Sequence, residues 1–227
     1  AYNFPIMPKF YLALAENDPD YLIEELESNA DLDVPDSAQW FTFLRCHDEL
    51  TLEFVTEEER KKMNDYYLKD EKWTFRDGEG IAGRLYDLLE QDVDKMLLMY
   101  SMLFSIEGTP IIYYGDELGM ENDVEFYNQM NEKTGYVDSR FLNRGPFDEE
   151  LKEEMLNNPD SDSRRIFSGL QEMISVKEQE SELFTVTPEY SHQDNVFIST
   201  RELGSKKLTI YNNLSEEEVI INDIKLE

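Results

Sequence analysis

The apolar residues of this chain fall into two alternating kinds of block. Some recur at helical spacing over about ten residues, and others are short continuous runs bounded by turn residues. Pro8 to Ala15 reads as a short helix. Asp18-Pro19, a capping residue followed by proline at the first helical position, opens a second helix through Glu27. Gln39 to Arg45 is nearly continuously apolar through Trp40, Phe41, Phe43 and Leu44, the pattern of a strand buried on both faces. Thr56 with Glu59 forms a capping box and starts a helix through about Leu68. Lys95 to Glu107 predicts a buried helix in which Met96, Met99 and Met102 are packing residues. Thr109-Pro110 breaks the chain, and Ile111-Ile112-Tyr113-Tyr114 predicts a second buried strand ending at Gly115, with both tyrosines in the core. An irregular stretch follows. Asp162-Ser163 then caps a helix that presents Ile166, Phe167, Leu170, Met173 and Ile174 on one face.

From Leu183 the texture changes to short strands: Val196 to Arg201, Leu208 to Asn212 and Val219 to Ile224, with Asn212-Asn213 as a turn signal. The chain therefore divides into a β/α part, residues 1–182, and a small antiparallel β unit, residues 183–227. Strands separated by helices fit a (β/α) barrel or an open doubly wound sheet. No glycine-rich phosphate loop follows either strand, which counts against the nucleotide-binding version.

Composition narrows the partners. Hydrophobic residues at 40% and aromatics at 12% supply a real core. No run approaches the ~20 apolar residues of a membrane-spanning helix. The net charge of −30 argues against nucleic acid and anionic membrane, since both need basic surface. The acids, in clusters such as Glu57-Glu58-Glu59 and Glu216-Glu217-Glu218, read as a solvated surface. The one cysteine, Cys46, precludes an intrachain disulfide, and His47 and His192 are too few to complete a structural zinc cluster with it. The setting this suits is reducing and cytoplasmic, and no metal or cofactor is expected.

Both apolar strands end in polar clusters, Arg45-Cys46-His47-Asp48-Glu49 and Gly115-Asp116-Glu117. In β/α barrels the C-terminal strand ends hold the chemistry. Ionisable groups directly after a buried strand need a polar pocket or one another. On the residues alone, His47-Asp48 reads equally as a catalytic pair or as a histidine and carboxylate satisfied locally.

Phe43-Leu44-Arg45-Cys46-His47-Asp48-Glu49-Leu50 resembles the seventh-strand motif of glycoside hydrolase family 13, the α-amylase family. Gly108-Thr109-Pro110-Ile111-Ile112-Tyr113-Tyr114-Gly115-Asp116-Glu117 resembles its eighth-strand motif, in the same order. Within the family, Phe4-Pro5-Ile6-Met7-Pro8, Glu49-Leu50-Thr51-Leu52-Glu53, Ile81-Ala82-Gly83-Arg84-Leu85 and Gly115 to Met120 are similar to the trehalose synthase branch. Asp138-Ser139-Arg140-Phe141-Leu142-Asn143-Arg144 and Asn158-Pro159-Asp160-Ser161 are more similar to amylosucrase and sucrose phosphorylase. Cys46 stands where the family commonly has asparagine.

The resemblance implies the last part of a (β/α)8 barrel, about strands six to eight, followed by a small antiparallel β domain. It implies retaining chemistry at an α-glucosidic bond, in which one carboxylate attacks the anomeric carbon and another protonates the leaving oxygen. Asp48 matches a third carboxylate, which holds the 2- and 3-hydroxyls and favours the oxocarbenium-like ring, with His47 donating to the same hydroxyls. Glu49 is expected to contact the leaving or acceptor sugar, or else to lie on the surface. Arg140 is expected to pair with an acid from an early strand at the base of the sugar pocket, or to form an ordinary ion pair. Asp116 and Glu117 are expected to stabilise the strand end, and His192 to be exposed.

The nucleophile and acid belong to the family's fourth and fifth strands, and no segment here resembles either. The missing barrel half would come in cis or from another chain, and these 227 residues alone are expected to be inactive. The implied substrates are maltose, trehalose, sucrose or related α-glucosides, acted on by a glucosyltransferase, isomerase or hydrolase. A non-catalytic sugar- or partner-binding fragment stays open as the other reading.

Overall fold

The computed structural model describes residues 1–226 other than 31, 33 and 36. The chain opens with Tyr2 in a parallel bridge to Phe41. Helix α1 (Ile6–Glu16) follows at once. It starts two residues earlier than the pattern suggests, because Pro8 falls in the first turn, where backbone N–H groups lack helical partners anyway. Helix α2 (Asp20–Ala30) starts where expected, with Asp18 Oδ1 accepting from the Asp20 N–H at 3.0 Å. Strand β1 (Phe41–Phe43) is shorter than its apolar run. Phe43 and Leu44 are buried while Phe41 stays 38% exposed, so the strand is not covered on both faces.

After β1 the chain makes a small antiparallel sheet of β2 (Leu50–Thr51), β3 (Thr74–Phe75) and β4 (Gly80–Ile81), in the order β2-β4-β3. The sequence pattern does not show it, because two-residue strands carry no periodicity. Helix α3 (Glu57–Tyr67) lies inside this excursion and has the expected capping box. The Glu59 N–H donates to Thr56 Oγ at 3.2 Å, and the Thr56 N–H donates to Glu59 Oε2 at 2.7 Å. A short helix, α4 (Leu85–Leu88), leads to α5 (Val93–Ser105), capped by Asp92. Met96, Met99 and Met102 are fully buried in it.

Strand β5 (Thr109–Ile111) pairs in parallel with β1, Phe41 opposite Thr109 and Phe43 opposite Ile111. The expected break at Thr109-Pro110 is therefore the strand itself. The Thr109 N–H supplies the ladder bond to Trp40 O at 2.8 Å. Pro110 lies at the sheet's edge, where its missing donor costs nothing. Gly108 makes the close approach possible: its φ is +109°, and a Cβ there would sit 2.8 Å from Trp40 O. Tyr113 and Tyr114 lie beyond the strand and outside the core, Tyr114 being 39% exposed.

The stretch read as irregular contains α6 (Val124–Thr134) and α7 (Glu149–Asn157), capped by Asp123 and Asp148. Each buries a single side chain, Tyr127 or Met155, so neither shows an apolar stripe. Helix α8 (Asp162–Gln179) is capped by Ser161 rather than by Asp162-Ser163. Ile166 and Leu170 of its expected face are buried, Phe167 and Met173 are half-buried, and Ile174 is exposed.

The C-terminal part is antiparallel as expected. Strands β6 (Glu189–Gln193), β7 (Val196–Leu203) and β8 (Lys206–Asn213) form one sheet in that order. Asn212-Asn213 ends β8 instead of making the turn. The expected last strand splits into a hairpin of β9 (Val219–Ile221) and β10 (Ile224–Leu226). Asn222 and Asp223 bend it with φ of 50° and 64°, the left-handed geometry of a tight hairpin turn. The buried Arg201 docks the larger sheet on α5 by donating to Ser105 O at 2.7 Å and Ile106 O at 2.9 Å. Among the described residues, no helix is long and apolar enough to cross a membrane.

Candidate active site

The loop that leaves the C-terminal end of β1 carries Cys46, His47, Asp48 and Glu49. Its shape is fixed carbonyl by carbonyl. Asn143 Nδ2 donates to Cys46 O at 3.1 Å, Arg144 Nε to His47 O at 2.7 Å, and Arg45 Nη2 to Asp48 O at 3.0 Å. Arg45 is itself buried and anchored through Nε to Gly83 O at 2.9 Å. Three consecutive peptide groups are thus held by side chains, two of them from the segment before α7.

The same segment holds the Asp48 carboxylate. Arg140 Nη1 and Arg144 Nη2 both donate to its Oδ1, at 3.2 and 3.1 Å. His47 Nε2 lies 3.2 Å from Oδ2. With Asp48 36% and His47 70% exposed, these pairs orient the groups more than they stabilise the fold. Arg140 also grips Asp138 with Nε and Nη2, each at 2.9 Å, a fork-to-fork arrangement. Burial pushes the Asp138 carboxyl upward, but the bonds from Arg140 outweigh it and hold it below the usual carboxylate range.

The four sequence-read residues, His47, Asp48, Glu49 and Arg140, come together here. Arg140 finds its acids within this chain, Asp138 and Asp48. Glu49 is largely buried, not on the surface. Its side chain lies over Gly80, where a Cβ would be 2.5 Å from Glu49 Cγ, and Oε2 sits 3.7 Å from Arg140 Nη1. The reading missed Arg45, Asp138, Asn143 and Arg144. The last three lie inside a quoted motif, where two arginines four apart around an asparagine were the available signal.

Behind the loop, Asp116 is fully buried and accepts from the Tyr100 hydroxyl at 2.9 Å. Burial raises its carboxyl to about 6, against the opposing pull of Arg84. Glu117 Oε2 accepts from the Gly115 N–H at 2.7 Å, so both acids brace the end of β5. His192 is exposed, and it pairs with Asp20 at 3.2 Å.

Donor atoms of Cys46, His47 and Asp48 lie within 4.8 Å of one another, close enough to share a cation. The surroundings do not suit one. Two guanidiniums already occupy Asp48, and burial pushes the Cys46 thiol up, away from the thiolate a metal binds. The geometry suits a different partner. A fixed carboxylate with an imidazole beside it, open to solvent at strand ends, can hold a pair of vicinal hydroxyls and oppose positive charge developing near them.

Residues 16–204 match the catalytic domain of alpha amylase. The chain belongs to the α-amylase family. Trehalose synthase of Thermus thermophilus is 47% identical over 123 residues, which are 53% of this chain and 12% of that protein. Trehalose synthase/amylase TreS of Mycolicibacterium smegmatis is 43% identical over 120 residues, 53% of this chain and 20% of that one. Among solved structures, sucrose 6F-phosphate phosphorylase from Thermoanaerobacter thermosaccharolyticum superposes with a TM-score of 0.71 at 20% identity, covering 94% of this chain and 43% of that one. The alpha-amylase from H. orenii superposes with a TM-score of 0.64 at 18% identity, covering 96% and 39%.

These likenesses give the α-amylase-family chain its architecture, a piece of a (β/α)8 barrel with small antiparallel sheets. It spans 12% to 21% of the length of the curated relatives named here and of a third trehalose synthase, from Pimelobacter sp..

Proposed function

We propose that this chain is part of a retaining α-glucoside-active enzyme of the trehalose synthase type, interconverting maltose and trehalose. The observation that carries the reading is the Asp48 carboxylate, fixed by Arg140, Arg144 and His47 at the C-terminal end of a parallel strand. In this reading Asp48 holds the 2- and 3-hydroxyls of the glucosyl ring, and His47 donates to the same hydroxyls. Both contacts strengthen as positive charge grows at the anomeric carbon, so they lower the barrier rather than merely bind the ground state. Glu49 and Arg140 frame the pocket.

Tyr2, β1 and β5 are then the sixth, seventh and eighth barrel strands, and residues 183–227 form a separate C-terminal domain. The nucleophile and the acid stand on the barrel half outside this chain. The open aromatic face of the arc supports this: Tyr2, Phe4 and Phe41 are 61%, 37% and 38% exposed, Tyr2 and Phe4 meet the Phe43 ring edge to face, and Phe41 packs on Tyr2. A closed barrel would bury that face.

The test is product analysis of the parent enzyme on maltose and on sucrose, beside the same assay of the 227-residue chain. Interconversion of maltose and trehalose by the parent, with no turnover by the chain alone, is expected. Asp48→Asn in the parent should lower kcat/KM by about 10^3-fold or more while leaving the circular dichroism spectrum unchanged. Turnover by the isolated chain, or full activity of Asp48→Asn, would reject this reading. Activity on sucrose without activity on maltose would move the assignment to a sucrose-active glucosyltransferase.

A further inference from the structure

Lys177 stands in the last turn of α8. A lysine there is ordinarily a solvated charge, favoured by the negative end of the helix dipole. This one is placed differently. It is half-buried, and its Nζ lies 4.4 Å from the ring centroid of Phe184, in the short turn Leu183–Thr185 that opens the C-terminal part. The guanidinium of Arg201, from β7, lies over the same ring, also at 4.4 Å. Two cations therefore share one aromatic ring at the join between α8 and the C-terminal sheet.

No carboxylate offsets the lysine's charge. Among the described residues Lys177 has no ion-pair or hydrogen-bond partner for Nζ. Its neighbours in sequence face elsewhere: Glu182 pairs with Lys206 at 2.9 Å, and Glu178 lines a groove beside Ile112 and Glu117. In a chain with 51 acids this sets Lys177 apart. Of the other lysines, Lys72 and Lys133 alone lack a carboxylate partner among the described residues, and both are exposed. Partial burial and the like charge of Arg201 both disfavour the ammonium form, and together they bring the Lys177 amine down to about 8. A sizeable share of it is then neutral and nucleophilic near neutral pH.

The same surroundings select the electrophile. Acylation turns the amine into an uncharged amide and ends its opposition to Arg201, whereas an imine would still take up a proton beside that guanidinium. A donor with an anionic leaving group is drawn to a spot where two cations lie together. We propose that Lys177 is a covalent modification site, acylated on Nζ by small acyl phosphates. The Nζ lone pair attacks the carbonyl carbon and a C–N bond forms. The C–O bond to phosphate breaks, phosphate leaves with the bonding electrons, and the amine's proton passes to phosphate or water. The amide leaves Arg201 as the one cation on Phe184, at the contact that holds the C-terminal sheet to α5. This site is independent of the α-glucoside reading above.

Time-resolved peptide mass spectrometry of the purified protein treated with acetyl phosphate tests it. Near pH 7.5, Lys177 should be acetylated about tenfold faster than Lys72 or Lys133, because theirs are ordinary amines that stay almost wholly protonated there. The rate at Lys177 should level off above about pH 8, while the rates at Lys72 and Lys133 keep climbing toward pH 10. In concentrated urea the three lysines should react alike, since the preference belongs to the fold. Equal rates in the folded protein, parallel pH profiles, or a preference for Lys177 that survives in urea would each overturn the proposal.

Discussion

Asp48 is oriented by residues about ninety positions away, and this explains which parts of the site could be read in advance. His47 and Asp48 are adjacent in the chain, so their pairing is visible as a motif. Asn143 and Arg144 act on backbone carbonyls of residues 46 and 47, which any residue type provides. The two arginines around Asn143 are the local sign of such a role, but neither segment shows which carbonyls they reach. Asp116 shows the energetic side of placing charge at a strand end. Its carboxyl, at about 6, binds its proton more tightly in the fold than in the unfolded chain, where the ordinary value is 3.8. The folded state therefore holds the extra proton between those values, and stability falls as pH rises from about 4 through about 6. Asp116→Asn removes that proton. Its urea midpoint should gain on the unsubstituted chain's between pH 4.5 and pH 7, and parallel pH dependence of the two would show that the Asp116 carboxyl is not raised in the fold.

At the scale of elements, those with local signals were legible and those without were not. The Thr56–Glu59 box predicts the start of α3 and is found there with both reciprocal bonds. Thr56→Ala should cost about 1 kcal/mol in denaturant unfolding, since one of the first-turn N–H groups loses its acceptor. A loss below a few tenths would mean that water replaces the cap. Helices α6 and α7 escaped notice because each buries one side chain, leaving no stripe to detect. Strand β5 was placed two residues late because a proline was read as a break. The ladder uses the donors of alternate residues, so Pro110 is tolerated at an edge.

For the whole molecule, the main join is between α5 and the C-terminal sheet. Arg201 is buried beneath β7 and caps the carbonyls at the end of α5, with Phe184 stacked on its guanidinium at 4.4 Å. Ser199 Oγ donates to the same Ser105 carbonyl at 2.8 Å, and the Tyr190 hydroxyl accepts from the Glu107 N–H at 2.9 Å. Arg201→Met keeps the volume but takes the side-chain donor from Ile106 O and leaves Ser105 O with Ser199 Oγ alone. It should lower unfolding free energy by about 3 kcal/mol, and a loss under about 1 kcal/mol would mean that the sheet is held by apolar contact alone.

The sequence by itself determined the alternation of helices and strands, the change of texture near Leu183, and the His47-Asp48 pair with a second strand-end motif behind it. These follow from periodicity, capping and residue adjacency, all of which are local. The tertiary structure alone decided which arginines reach Asp48 and that Glu49 is drawn inward over Gly80. Those facts depend on contacts between segments far apart in the chain, and side chains meeting backbone leave no pattern in the order of residues.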